Sequence, residues 1–282
     1  MPELPMIKYF GWSNLSLETE HGVLFFDPFF RRYCGAQWYG IEDFAKASVV
    51  CVTHGHEEHY LDVSAVAERS GATVVSSAAV CNYLHWRSRI PRHKLVAVGI
   101  GETVEVSGFR ISTFEWRHRD INIYKAVLNA IFRGNATQLK WVWSSVTKAP
   151  FYAPYVGFHV ELPDGTTVMN YNEGFNSKMT DREIQELGRR LRTDVLLGGM
   201  QLHFTGDVAR GVAALGPEKV VLYPPHDKFH GMMNVDSAPW SAFADAVRGV
   251  APQATVVVAE PGTEIGVGSG TVARTPVTVA VT

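Results

Sequence analysis

Apolar and β-branched residues fall into short runs along this chain rather than into long helical stripes. Runs at 22–26, 48–53, 73–75, 104–115, 155–171, 195–197, 220–223 and 255–258 are rich in Val, Ile, Phe, Tyr and Thr and end at turn-forming residues, which predicts strands. Two runs contain their own turn. Ser107-Gly108 divides one and Pro163-Asp164-Gly165 the other, as in antiparallel hairpins. Helices are predicted over 63–69 behind an Asp62 cap, 77–86, 181–192 behind a Thr180 cap, and 238–247.

Strand-rich halves with interspersed helices predict an α/β protein built of two mixed sheets packed face to face, helices outside. No repeat and no interdomain linker breaks the chain, so the expectation is a single domain over 1–282. The stretch 120–151 departs from the pattern. It neither alternates nor opens on a cap, and it mixes Trp141, Trp143 and Phe151 with Lys and Arg; it reads as an insertion that covers a site. The tail, 266–282, is small and β-prone, an edge strand or a frayed end.

Charge narrows the partners. With 26 Lys and Arg against 28 Asp and Glu, and no long cationic run, the chain lacks the footprint of a nucleic-acid binder, and a small-molecule substrate is expected. No stretch of 18 apolar residues occurs, and Met1-Pro2-Glu3-Leu4-Pro5 is no leader, so the expectation is a cytoplasmic protein without a membrane partner; a homo-oligomer is left open. Cys34, Cys51 and Cys81 form no C-x-x-C pair, which argues against a disulfide framework or a thiolate zinc site. Cys51, inside an apolar strand, reads as core.

Histidine carries the chemistry. In Val52-Thr53-His54-Gly55-His56-Glu57-Glu58-His59-Tyr60-Leu61-Asp62 a strand ends and a helix begins. Extended backbone turns His54 and His56 to one side, with Gly55 letting the chain bend. Three imidazoles in six residues, with two carboxylates among them, suit a divalent metal held at a strand end. His203 follows the run 195–197 and should lie on the same rim, as a substrate contact or a further ligand. His230 reads as a loop histidine, and His21, His85, His93 and His159 lack acidic neighbours in a cluster. The aromatic residues between Phe29 and Tyr39 are core packing or a pocket wall. No Gly-x-Ser-x-Gly elbow, Gly-x-Gly-x-x-Gly turn or Walker loop is present.

The pattern His-x-His-x-acid-His after an apolar strand resembles the signature of the metallo-β-lactamase superfamily. Tyr9-Phe10-Gly11-Trp12-Ser13 and Leu24-Phe25-Phe26-Asp27-Pro28 are similar to the first strands of its UlaG-like branch. The resemblance implies a four-layer αββα sandwich and one or two divalent ions, zinc foremost, with manganese or iron as alternatives. It implies His54, His56 and His118 around one ion, and Glu58, His59 and His226 around a second. Asp27 would orient a ligand histidine from behind.

Two departures matter. Glu58 stands where the family has Asp, so it either binds with a longer reach or leaves the metal and acts as a base. Asn170-Tyr171-Asn172-Glu173-Gly174 stands in place of the Gly-Asp-Thr-Gly turn, and alignment on Gly174 puts Asn172 at the bridging position. A neutral Asn removes a compensating charge. Glu173 restores it only if it faces inward, and adjacent residues of an extended chain face opposite ways.

The resemblance therefore implies hydrolysis of an ester, lactone or phosphoester of a small anionic molecule by a metal-bound hydroxide, with Glu58 or Asp27 handling the proton and His203 the oxyanion. Two other readings stay open: an iron-dependent oxygenase on the same scaffold, motivated by Glu58 and Asn172, and a degenerate protein that binds a small molecule without turnover.

Overall fold

The computed structural model describes residues 5–30, 39–120, 123–148, 150, 152–233, 235–268 and 272–274. Strands β1 (Met6–Gly11), β2 (Asn14–Thr19) and β3 (Gly22–Phe26) form a meander. Strand β4 (Ala47–Cys51) leads through α1 (Glu57–Tyr60) and α2 (Val63–Ser70) to β5 (Thr73–Ser77), and α3 (Ala78–Ser88) leads on to β6 (Leu95–Val98). The hairpin β7 (Thr103–Val106) and β8 (Phe109–Glu115) precedes two helices, α4 (Ile123–Phe132) and α5 (Ala136–Lys148). A second hairpin, β9 (Val156–Glu161) and β10 (Thr167–Asn170), is followed by α6 (Asp181–Arg190), β11 (Val195–Gly199), α7 (Thr205–Leu215) and β12 (Lys219–Tyr223). The chain closes with α8 (Asp227–Met233), α9 (Trp240–Val250), β13 (Thr255–Val258), β14 (Thr263–Gly266) and β15 (Val272–Arg274).

One sheet has the order β15-β14-β1-β2-β3-β4-β5-β6 and the other β13-β12-β11-β10-β9-β8-β7. Both are mixed: β3 through β6 and β10 through β13 run parallel, and the meander and hairpins run antiparallel. The two-residue period of the strands sorts side chains into layers. Leu24 and Phe26 of β3 face Phe158, Leu197 and Val221 in the core between the sheets. Phe25, between them in sequence, faces the other way, onto Val63 and Val66 of α2 and Val80 and Leu84 of α3. On the second sheet Leu196, Val220 and Leu222 pack under Ile184 of α6, Val212 of α7 and Phe243 of α9. Each such side chain, fully buried, contributes about 1.5–3 kcal/mol, so sheets and helices hold as four layers, αββα.

Both predicted hairpins form, and Thr180 caps α6 in a reciprocal box: its hydroxyl accepts from Glu183 N, and Glu183 Oε2 accepts from Thr180 N at 2.8 Å. Asp62 does not cap α2; its Oδ2 instead accepts from Phe30 N at 2.8 Å, tying α2 to the end of β3. The stretch 120–151 is largely a helical hairpin, α4 and α5, with 121, 122, 149 and 151 outside the described residues. In the tail β15 is the edge strand, and 275–282 lie outside the described residues. Among the described residues no helix is long and apolar enough to cross a membrane.

Candidate metal centre

Five turns that follow strands meet at one edge of the sandwich. Asp27 follows β3, His54 to His59 follow β4, His118 follows β8, Glu173 follows β10 and His226 follows β12. A strand end is rigid up to its last hydrogen bond and then free to aim a side chain into the crevice between the sheets, so ligands placed there are held without filling the core.

Hydrogen bonds set which imidazole nitrogen faces inward. Thr53 Oγ1 donates to Asp27 Oδ2 at 2.6 Å, so it accepts from Nδ1–H of His54 at 2.9 Å, which leaves the Nε2 lone pair of His54 directed at the cluster. His59 donates from Nδ1 to Asp27 Oδ2 at 2.8 Å, and His118 from Nδ1 to the carbonyl of Arg119 at 2.5 Å. In all three an acceptor behind the ring fixes the tautomer that a metal needs. Tyr155 stacks on His118 with ring centroids 5.3 Å apart and holds its plane.

The inward atoms form two sets, His54, His56, His118 and Glu173, and Glu58, His59, Glu173 and His226; within each set the donor atoms lie within 4.8 Å of one another. Glu173 belongs to both. Its Oε2 is 3.0 Å from His118 Nε2, and its Oε1 is 3.3 Å from His59 Nε2, 3.6 Å from His226 Nε2 and 3.7 Å from His54 Nε2. Two donors on one tetrahedral ion with bonds near 2.0–2.1 Å sit about 3.4 Å apart, so these separations match shared coordination better than hydrogen bonding. Among the described residues, Nε2 of His54 and of His226 and Oε2 of Glu58 are buried without a hydrogen-bond partner. Each such group costs about 1–3 kcal/mol unless something satisfies it; a cation in the first set would do so for His54, and one in the second for Glu58 and His226. The donor set fits one or two divalent ions.

The electrostatics prepare the same state at His54, His56 and both carboxylates; at His59 burial acts downward, but the charge and hydrogen bond of Asp27 outweigh it and raise the imidazole to about 10. Burial, then the neighbouring His59 and His56, push the His54 imidazole well below its ordinary value; burial and His118 push His56 down to about 3. Burial raises the Glu58 carboxyl, but His226, whose Nε2 lies 3.5 Å from Oε1, and the charges of His59 and His56 outweigh it and bring it down to about 2. Burial likewise raises Glu173, and His118 and His226 overcome it. Neutral imidazole and ionised carboxylate are the forms that bind metal.

No protein-family model matches the chain. A metal-dependent hydrolase of Methanosphaera stadtmanae is 31% identical over 116 residues, which cover 40% of this chain and 46% of that protein; the chain thus spans under half the length of that curated relative in the match. Among solved structures, a metallo hydrolase from the archaeon Ignicoccus hospitalis superposes with a TM-score of 0.64 at 21% identity, over 92% of this chain and 97% of that one. A metallo-β-lactamase fold protein from Bacillus subtilis superposes with a TM-score of 0.59 at 10% identity, over 92% and 98%. This chain has the metallo-β-lactamase fold.

Within this metallo-β-lactamase fold the residue common to both donor sets is Glu173, a correction to the expectation that Asn172 takes the bridging position. Asn172 Nδ2 donates to Thr53 Oγ1 at 2.7 Å, so its amide lies behind His54, on the Nδ1 side. The alternation argument fails because 172–174 is not extended: Asn172 has φ +47° and Gly174 φ +95°. A Cβ on Gly174 would sit 1.9 Å from Gly199 O, so the turn is pressed against the end of β11 and swings Glu173 inward. Gln201 holds it there, donating from Nε2 to Glu173 O at 3.0 Å and to Oε2 at 3.2 Å, and Arg119 Nε donates to Gln201 Oε1 at 2.8 Å.

His203 is the second correction. It is 64% exposed and pairs with Asp236 at 3.3 Å, outside both ligand sets, because the turn at Leu202, with φ +51°, sends it outward ahead of α7. Asp27 touches the sets only through His59 and Thr53, so it orients ligands and does not reach the crevice. Glu58 falls in the second set despite its extra methylene. Phe29 is core packing: it is buried in a cluster with Trp12, Trp141 and Val142 and packs edge-on against Trp12 at 5.3 Å; residues 31–38 lie outside the described residues. Gln201 and Arg119 escaped the sequence reading, and His230, read there as a loop histidine, lies on α8. His230 is buried, its ring 5.8 Å from that of His226, and its Nδ1 is 3.1 Å from Ser237 Oγ.

Proposed function

We propose that this chain is a metal-dependent hydrolase with a two-ion centre joined by Glu173, acting on an ester, lactone or phosphoester of a small anionic molecule. The observation that carries the reading is the sharing of one carboxylate between two buried ligand sets. Mostly imidazole donors with two carboxylates favour zinc, with manganese or iron as alternatives. Such an ion, when bound, polarises a carbonyl or phosphoryl oxygen and acidifies a coordinated water.

The chain's own residues divide the remaining work. Asp27 and Thr53 fix the rings of His59 and His54, and Gln201 with Arg119 fixes Glu173. Glu58, held ionised near a pKa of about 2 against the raising effect of its burial, is a weak base and suits a ligand role. Arg119 pairs with no carboxylate among the described residues, so its guanidinium is available to an anionic group of the substrate. His230 takes the part expected of His203. Its Nε2 is buried without a partner among the described residues, and burial, then His226 and Arg119, lower it to about 3. A neutral ring of that kind donates N–H to a developing oxyanion without changing its own charge.

The test is turnover of an ester, lactone and phosphodiester panel by protein loaded with zinc or manganese, beside His54→Ala. Turnover that the variant loses supports the reading. No turnover across the panel at full metal loading overturns it, and iron-dependent oxygen consumption would replace it with the oxygenase.

A further inference from the structure

We propose that the outward face of the α4–α5 hairpin seats on an anionic lipid bilayer surface beside the metal centre. Eleven large apolar side chains are exposed among the described residues, and seven of them fall between residues 124 and 152. Scattered exposed apolar residues are ordinary, but a concentration on one element marks a contact surface.

The stripe follows helical spacing. On α4, Tyr124, Leu128, Ile131 and Phe132 recur at intervals of four, three and one, which is one face of a helix, and Phe132 is 83% exposed. On α5, Leu139 and Trp143 are four apart and exposed, Trp143 to 69%, whereas Gln138, Trp141 and Val142 are buried on the opposite side. The inner faces share a seat: Trp141 and Val142 cluster with Trp12 and Phe29, and Val127 of α4 packs on that cluster. Both outer faces therefore look away from the body.

The charge chooses the occupant. From residue 121 to 160 the chain carries Lys125, Arg133, Lys140 and Lys148 and no Asp or Glu. Removing these four from the 26 Lys and Arg leaves 22 against all 28 Asp and Glu in the rest of the chain. A second copy pressing the same face would bring like charges together, whereas an anionic bilayer pairs with the cations and takes the aromatic rings into its headgroup layer. Long Lys and Arg stems reach past apolar neighbours to phosphate. The expectation of no membrane partner rested on the lack of a spanning stretch, which surface seating does not need.

The hairpin is fixed at the centre it flanks. Pro150, just beyond α5, abuts Gly55 between two ligand histidines, and the Trp141 ring packs at a tilt 4.9 Å from Phe229, itself 6.3 Å from His226. Seating depends on this face and not on the reaction class.

The test is co-sedimentation of the metal-loaded full chain with phosphatidylcholine vesicles, with and without phosphatidylglycerol. Binding is expected to be at least about tenfold tighter with the anionic lipid and to weaken as salt rises. The exposed pair Phe132→Ser/Trp143→Ser should lose about tenfold or more at unchanged metal content and melting temperature, and Lys140→Glu about fivefold or more. No binding of folded protein to anionic vesicles, or equal binding by the serine pair, overturns the proposal. So does a dimer by light scattering that the serine pair splits while neither form binds vesicles, since the face then belongs to a second copy.

Discussion

Asp27 Oδ2 lies 2.8 Å from Nδ1 of His59, and Thr53 holds the same carboxylate through its backbone N at 2.8 Å and its hydroxyl at 2.6 Å. The carboxylate is wholly buried, so it fixes the His59 ring and strengthens its Nε2 as a donor. Asp27→Ala should weaken metal held by the second ligand set about 10–100-fold. Competition against a chelator measures this, and unchanged affinity contradicts the role.

His203 and His230 exchange the parts that their sequence positions suggest. His203→Ala alters an exposed side chain and should leave turnover within about twofold of the parent. His230→Ala should lower kcat about a hundredfold, with metal content unchanged. Steady-state kinetics on any substrate that the panel identifies separates the two, and the reverse ranking contradicts the assignment.

Gly55 is required by a neighbour and not by a bend. A Cβ there would sit 2.1 Å from Pro150 O, so Gly55→Ala must displace either the histidine loop or the end of the hairpin. Overpacking of this kind costs about 1–3 kcal/mol, read as a lower urea midpoint. An unchanged midpoint would mean that the contact is loose.

Acid should weaken the fold through His159, remote from the metal. Burial holds its imidazole below the ordinary value, although its Nε2–H donates to Arg192 O at 2.6 Å. The unfolded chain therefore binds the proton more readily. The stability this group contributes is present above the unfolded pKa of about 6.5 and is lost as pH falls below it. His159→Gln should flatten the dependence of melting temperature on pH from about 6.5 downward. Parallel curves for parent and variant contradict this.

What could be read from the chain was what depends on short-range pattern. The hairpins at Ser107-Gly108 and Pro163-Asp164-Gly165, the Thr180 box and the histidine cluster each lie within a few residues, and the structure contains all of them. Glu173 was misjudged because the two-residue alternation holds only for extended chain, and Gly199, distant in sequence, forces positive φ at 172 and 174. Gln201 and Arg119 gain their roles only because the segments that follow β11 and β8, strands separated in the sheet by β10 and β9, meet, which no local spacing records. Helix α7 was legible and overlooked: Val208, Val212 and Leu215 recur at helical spacing. The four-layer arrangement followed from strand and helix order, whereas α4 and α5 were obscured by apolar residues on their outward faces.

The central claim is that Glu173, and not Asn172, joins two metal sites. Mass-spectrometric metal counting on protein loaded with zinc or manganese and freed of excess ion tests it, with Glu173→Gln and Asn172→Ala beside the parent. The account predicts two ions per chain in the parent, one or none in Glu173→Gln, and two retained in Asn172→Ala. Two ions retained by Glu173→Gln, or loss confined to Asn172→Ala, would contradict it.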